Sequence, residues 1–522
     1  MKPILIDSSS FPELREKGCV YVDKTSWLHR LASGPNARFF LARPRRFGKS
    51  LMISTLKALF EGRRELFGGL AIDGTDWAWE TYPVMHFNFG FAAAPTAEEF
   101  RRSFPATVQS VIAEAGGQYD SQELPSVNFG RAIDGLSAAN GGRGVVILID
   151  EYDDPVARLL HKPDEAVRVR ETLAGFYGQM KDRTEKIRFL MITGVSKFTK
   201  MSVFSALSNL IDLSFQDDYA AMLGYTEEEL DGFFDGHLRV HASLMGMEYE
   251  AYRAELKRWF NGYRFGRGNP ATVYNPVSVG FNLAMPEPFF QNYWASTGKA
   301  SMLMNFLKRG EFLDFDMESV PDLAMEDFDV TDLTDLRAVP MLYQTGYLTI
   351  RDFDPVTRWF TLAVPDEEVR QDLATLVTAF RSDRTTDWAS TLGRKLLRAQ
   401  WDDFFDGLKS LYAALPYGPR ERRVHEFSFE RALMVLLRSQ GIRCRVEDRQ
   451  ADGRADVVAE HPCGIYLFEL KVDESADAAL DQLRRRRYAE PYRASDAPVW
   501  LVGLSFNRET RLLDDAKAER LA

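Results

Sequence analysis

Lys49 and Ser50 stand where a chain can most simply be made to hold phosphate. They close the string Arg43-Pro44-Arg45-Arg46-Phe47-Gly48-Lys49-Ser50, which follows an apolar run, Arg38–Ala42, and opens a helical pattern, Leu51–Phe60. A turn between a strand and a helix presents backbone N–H groups and the positive end of the helix dipole to an anion. Lys49 would reach the β- and γ-phosphates of a nucleoside triphosphate, and Ser50 would offer its hydroxyl to Mg²⁺. About a hundred residues on, the apolar run Val145–Ile149 ends in Asp150-Glu151. The first acid is expected to hold the magnesium and the second to polarise the attacking water. A third run, Arg188–Thr193, ends in Thr193-Gly194-Val195-Ser196-Lys197, where Thr193 or Ser196 serves either as a γ-phosphate sensor or as a helix cap. The expected nucleotide-binding residues are Arg46, Gly48, Lys49, Ser50, Asp150 and Thr193, with ATP and Mg²⁺ as cofactors. Glu151 is the expected catalytic residue, and Ser50 and Asp150 the metal ligands.

A second group of chemically able residues lies near the carboxyl end. Gly453-Arg454-Ala455-Asp456 leads into Val457–Glu460, a turn at His461–Gly464, and the run Ile465–Lys471. Strand alternation puts Leu467, Glu469 and Lys471 on one face and Tyr466, Phe468 and Leu470 on the other. A hairpin centred between Pro462 and Cys463 sets Asp456 directly across from Glu469, with Cβ atoms about 5 Å apart. Two carboxylates beside a lysine suit Mg²⁺-dependent attack on a phosphodiester: the acids hold the ion and the lysine meets developing charge. Charge in so apolar a strand is costly without a purpose. Asp456, Glu469 and Lys471 are therefore expected to be catalytic, the first two as metal ligands. The helical stretch that follows brings Gln482, Arg484, Arg485 and Tyr488, with Arg486 and Arg487, as candidates for a nucleic-acid backbone. Glu426 and Glu430, upstream, are each able to add a third carboxylate.

These residues need elements to position them. In the first two hundred residues, Arg38–Ala42, Val84–Phe89, Val145–Ile149 and Arg188–Thr193 read as buried strands, separated by helical stretches such as Glu98–Ala115. That alternation predicts a parallel sheet covered on both faces. Gly141–Gly144 reads as the turn feeding the third strand. From Asp217 long amphipathic patterns take over, including Thr226–Phe234 and Tyr249–Phe260, with a small strand pair expected in Met341–Ile350. The last hundred residues read as a separate α/β module: a helix at Ser428–Gln440, the hairpin, a helix at Ala476–Tyr488 and a final strand at Pro498–Leu504. The expected organisation is a P-loop domain over 1–216, a mainly helical lid or linker over 217–416, and an α/β domain over 417–522.

At 522 residues the chain is too long for one core. The net charge of −11 argues against a protein coated in nucleic acid but not against a local basic groove. Three cysteines, Cys19, Cys444 and Cys463, are too few and scattered for a disulfide framework or a zinc site. The amino terminus lacks a secretory pattern and no apolar run approaches membrane-spanning length, so a cytosolic protein without membrane contact is expected.

Asp456, Glu469-Leu470-Lys471 and Gln482 resemble the PD-(D/E)XK nuclease superfamily. The whole chain resembles a bacterial family that joins an AAA-ATPase-like domain to such a nuclease-like domain. The resemblance is carried by Tyr21-Val22-Asp23-Lys24-Thr25, Arg43–Ser50, Ile149-Asp150-Glu151-Tyr152-Asp153, Gly194-Val195-Ser196-Lys197-Phe198, Tyr274-Asn275-Pro276, Tyr343–Thr349 and Gly453–Tyr492, so it runs from near residue 3 to near residue 495. It implies that Arg43, where a P-loop normally has glycine, is no defect. Two departures stand out: Phe429-Glu430 replaces a Tyr-His pair, and Ala455-Asp456 replaces Pro-Asp. Asn261-Gly262-Tyr263-Arg264 also looks like a family hallmark, with Arg264 either a sensor of the γ-phosphate or part of a turn packed by Tyr263 and Phe265. The function implied is an ATPase coupled to a Mg²⁺-dependent nuclease acting on DNA, with a homo-oligomer among the arrangements it allows. The alternatives are an ATP-driven switch that binds nucleic acid or a partner without cutting, and a toxin-like or defence effector.

Overall fold

The computed structural model describes residues 1–92, 94–197, 209–268, 270–286, 289–294, 319–328, 337–381, 386–414, 426–440, 442–445, 456–485, 488–492, 495 and 497–521. Contacts divide the chain into two compact units, Met1–Ser296 with Asp314–Glu367, and Thr297–Leu313 with Glu368–Ala522. The stretch 217–416, expected as a middle region, is shared between them: 217–296 and 314–367 fall in the first unit, 297–313 and 368–416 in the second. Among the described residues no helix is long and apolar enough to cross a membrane.

The first unit is built on a parallel sheet of β1 (Arg38–Ala42), β2 (Val84–Asn88), β3 (Val145–Asp150), β4 (Ile187–Gly194) and β5 (Ile211–Asp212), in the order β2-β3-β4-β1-β5. Every residue of β3 is at most 1% exposed, as a central strand covered on both faces must be. Gly144, with φ +86°, makes the turn into it; a Cβ there would lie 2.9 Å from the amide of Arg188. Helices Lys49–Phe60, Ala97–Glu114, Pro125–Ala139 and Pro163–Gly178 pack around the sheet. The last two start on a proline, whose missing N–H costs nothing at a helix's first position. Placing β4 between β3 and β1 brings Asp150, Gly194 and Ala42 to one carboxyl edge, where open α/β sheets bind ligands.

The same unit continues through helices Glu227–Leu244 and Tyr249–Phe260, a short hairpin of β6 (Asn261–Tyr263) and β7 (Val273–Tyr274), and a helix at Pro276–Ala284 capped by the Asn275 side chain. Met341–Ile350 is not a strand pair. Its first half belongs to a helix, Ala338–Thr345, which Gly346 ends at φ +95°, and only then does a strand begin. That strand, β9 (Thr349–Asp354), lies beside β10 (Trp359–Ala363), which pairs with β8 (Val320–Leu323).

The second unit holds a five-stranded mixed sheet, β11 (Arg443–Arg445), β12 (Val457–His461), β13 (Gly464–Val472), β14 (Val499–Phe506) and β15 (Leu513–Arg520), in sequence order. One face carries Tyr466, Phe468 and Leu470 against helices Trp401–Ala414 and Glu426–Ser439. The other carries Leu467 against Leu480 and Leu483 of the helix Ala476–Arg485. Tyr488, expected within that helix, lies in a turn, and the expected last strand is followed by another, β15.

Candidate functional site

The phosphate loop leaves β1 and enters its helix through Gly48, at φ +86°, a left-handed conformation that glycine adopts at no steric cost. Lys49 is buried, and its Nζ donates to the carbonyls of Arg43 and Pro44 at 2.8 Å each. Burial pushes its ammonium down to about 8, against the pull of Asp150, Asp153 and Glu151. The lysine therefore rests on its own loop, amid acids.

Asp150 is 1% exposed; its Oδ1 accepts from the Thr193 hydroxyl at 2.6 Å and from the Glu151 amide at 3.0 Å. Its Oδ2 is buried with no hydrogen-bond partner among the described residues. A buried carboxylate oxygen in that state is costly unless a cation meets it. Asp150 together with Ser50 at the helix start is a donor set of the hard oxygen type that Mg²⁺ takes, with phosphate and water completing the shell. Glu151 has the strained φ of +51°, and burial, then Asp150 and Asp154, push its carboxyl up. A Cβ on Gly90 would lie 1.8 Å from Glu151 Oε2, so the glycine at the end of β2 makes the space this side chain occupies. Asp153, buried, accepts from the amides of Val195 and Ser196 and thereby fixes the turn after β4.

Arg43 and Arg46 turn away from this edge. Arg43 is 2% exposed, donates to the carbonyls of Ala42, Ser214 and Tyr219, and lies 4.2 Å from the centre of the Phe265 ring. It replaces glycine because it anchors the loop to the segment after β5. Arg46, expected among the nucleotide ligands, donates to the Tyr293 carbonyl at 2.7 Å. Phe47 packs edge-on against Tyr263 and Phe265, with centroids 4.7 and 5.2 Å away, and a Cβ on Gly346 would lie 2.8 Å from Pro44 Cβ. The Asn261–Arg264 segment, strand β6 and the residue after it, thus packs on the loop through Tyr263. Arg264 points to β9, donating to the Arg351 carbonyl, and not to the loop.

In the second unit the pairing Val457↔Phe468 carries Asp456, one residue before β12, opposite Glu469. Asp456 Oδ2 accepts from the Leu470 amide at 2.7 Å, extending the ladder through a side chain. Glu469 Oε1 accepts from Lys471 Nζ at 3.2 Å and from Gln482 Nε2, with only 2% of the glutamate side chain exposed. Gln482 reaches it because β14 has Gly503 directly beside Glu469, where a Cβ would lie 2.4 Å from the Ala476 carbonyl. Glu430 is buried, and the side chain of Glu426 lies outside the described residues. Among the described residues no three His, Cys, Asp or Glu side chains cluster as a metal site. Two carboxylates suffice for Mg²⁺ where a phosphate shares the ion.

A family model described as "Predicted AAA-ATPase" matches residues 4–204, and one described as "PD-(D/E)XK nuclease superfamily" matches residues 424–516. A protein of Azotobacter chroococcum mcd 1, described as "Uncharacterized protein in vnfD 5'region", is 32% identical over 529 residues, covering 98% of this chain and 97% of that one. The chain belongs to this AAA-ATPase-like family. Its carboxyl-terminal domain is of the PD-(D/E)XK superfamily. No solved structure matches it.

In this AAA-ATPase-like protein, Gly48, Lys49, Asp150, Glu151 and Thr193 meet at one sheet edge, and Asp456, Glu469, Lys471 and Gln482 at another. Thr193, expected among the nucleotide ligands, is fully buried, and its hydroxyl donates to Asp150 and so orients that acid. The basic helix is less open than its sequence suggested. Arg484 is bidentate to Glu519 and also pairs with Asp481, Arg485 donates to the Asp481 carbonyl, and Tyr488 packs against the core beneath the helix. Arg486, Arg487 and Phe198 lie outside the described residues. Sequence reasoning assigned no role to Gly90, Asp153 or Gly503. Asp153 had a signal, as the third acid in Asp150-Glu151-Tyr152-Asp153; the two glycines act through distant side chains.

Proposed function

We propose that this protein binds ATP with Mg²⁺ at residues 43–50, hydrolyses it, and uses its nucleotide state to govern Mg²⁺-dependent cleavage of DNA by its carboxyl-terminal domain, in the cytosol. The buried, unpartnered Oδ2 of Asp150 carries the reading: a group held this way by Thr193 needs a cation, and the phosphate loop is its neighbour. Asp150 and Ser50 would hold the ion, which when bound would supply positive charge to the phosphates. Lys49 leaves the Arg43 and Pro44 carbonyls for the phosphates, and backbone N–H groups at Gly48–Ser50 hold them in place. Glu151, its carboxyl raised by burial, takes a proton from the attacking water. In the second unit Asp456 and Glu469 would hold the divalent ion, while Lys471 meets charge on the phosphodiester.

A second reading, a switch that binds DNA without cutting, is favoured by Glu469 and Arg484, whose partners are already within the protein. Binding of a fluorescent ATP analogue and phosphate release test the first half. Lys49→Ala should abolish binding, and Glu151→Gln should bind normally and turn over at least about 100-fold more slowly. Linear and supercoiled DNA, with Mg²⁺ or Mn²⁺ and with or without ATP, separate the two readings. Cleavage that Asp456→Ala and Lys471→Ala both abolish supports the nuclease. Binding without cleavage under every condition supports the switch.

A further inference from the structure

We propose that Arg45 is a catalytic residue supplied in cis: with ATP bound, its guanidinium contacts the terminal phosphate and stabilises the charge that develops there during hydrolysis. The inference rests on the proposal that residues 43–50 hold ATP, and it goes beyond it by completing the site within one chain. In many nucleotide hydrolases a second protein supplies such an arginine.

The three loop arginines have three destinations. Arg43 is sequestered beneath the loop and Arg46 is held by the Tyr293 carbonyl. Arg45 crosses to the carboxyl edge of β3, where its Nη2 lies 3.3 Å from Asp154 Oδ1 with 38% of its side chain still exposed. Asp154 is a fixed post: its side chain is 6% exposed, it also binds Arg158, and Arg158 in turn donates to the Gly90 carbonyl. Gly90 is where the Glu151 carboxylate lies. Arg158, Asp154 and Arg45 therefore run in a chain from the floor of Glu151 to the phosphate loop. The positive field of Arg45 is felt at both Glu151 and Lys49, the two groups that would flank the terminal phosphate.

A single long contact on a partly exposed side chain is a weak ion pair. A phosphate oxygen offers a guanidinium a shorter, charge-assisted and geometrically matched bond. In the proposed step Arg45 rotates its partly exposed side chain and exchanges Asp154 for the phosphate. Asp154, still paired with Arg158, is not left as an isolated buried charge.

The test uses the full-length chain and two readouts. ATP affinity should change by less than about threefold in Arg45→Ala, while turnover falls by about 10³-fold. Trapping of ADP with aluminium fluoride, a planar mimic of the transferring phosphoryl group, should be lost in Arg45→Ala while ADP binding persists. Arg45→Lys should recover little of either, because an ammonium lacks the planar fork. Mixing Arg45→Ala with Lys49→Ala chains should restore nothing. Trapping and turnover equal to the unmodified chain, or affinity lost with turnover at saturation unchanged, would overturn the proposal. So would recovery on mixing, which would put Arg45 in a neighbour's site. If the unmodified chain binds no ATP, the nucleotide reading fails and takes this one with it; if it binds and traps independently of Arg45, only this one fails.

Discussion

At the end of β3, Asp150 has one oxygen held by the Thr193 hydroxyl, whereas in β13 Glu469 gathers the Lys471 ammonium and the Gln482 amide onto a single oxygen. Both acids are nearly inaccessible, at 1% exposure each. The nearest lysines differ in the same sense. Lys49 donates to loop carbonyls and, among the described residues, makes no ion pair with Asp150 or Glu151, while Lys471 sits 3.2 Å from Glu469. The amino-terminal centre thus has room in its charge balance for the ion and the phosphate of the proposed function. In the carboxyl-terminal centre the Glu469 carboxylate already has a cation of the protein beside it, and a metal entering there would have to compete with Lys471. Nucleotide binding should therefore be the constitutive event, and cleavage the conditional one.

The comparison can be broken most sharply at Gly90. Gly90→Ala puts a carbon where the Glu151 carboxylate lies, so turnover should fall by about 100-fold, the cost of displacing a reacting group by roughly an ångström. ATP affinity should hold. Unchanged phosphate release would show that Glu151 need not occupy that pocket. At the other centre, Gln482→Ala removes the partner that orients Glu469, and Mn²⁺ affinity, read by electron paramagnetic resonance, should weaken about thirtyfold. Tighter Mn²⁺ binding would mean instead that Gln482 blocks the ion. The smallest effect concerns protons. The Lys49 ammonium is pushed down to about 8 by burial, and a triphosphate favours its charged form, so binding takes up a proton once the free lysine has lost it. Affinity should be steady below that pH and about tenfold weaker at pH 9 than at pH 7. Calorimetry in buffers of different ionisation enthalpy should show proton uptake growing over the same interval, and a flat profile would place the lysine pKa elsewhere.

Where local pattern and tertiary environment agreed, the chain was legible. The strand Arg38–Ala42 and the helix Tyr249–Phe260 have the bounds their patterns indicate. Asp456 faces Glu469 because a hairpin's register follows from its turn. The helix Pro125–Ala139 was not legible, since Gly130 and Gly135 weaken it. Packing compensates, with Phe129 stacked on Phe176 at 4.2 Å. The strand Leu513–Arg520 carries Asp514, Asp515, Lys517, Glu519 and Arg520, which hides a strand pattern but suits an exposed sheet edge. Arg43 was harder still. Arginine is a surface residue by type, and its partners are backbone carbonyls some 170 residues away that leave no mark in the sequence. Gly90 and Gly503 matter for what they leave empty.

The phosphate loop is walled by Tyr263, Phe265 and Gly346, all beyond the residues that the ATPase family model matches, 4–204. A fragment trimmed to that match, or to residue 216, would strip the covering from Phe47 and Arg43 and remove the fastening of Arg46 at Tyr293. The recognisable cassette is consequently not a portable one. Loop closure must await chain synthesised some three hundred residues after the loop itself, a long-range condition that ties competence for nucleotide to completion of the whole first unit.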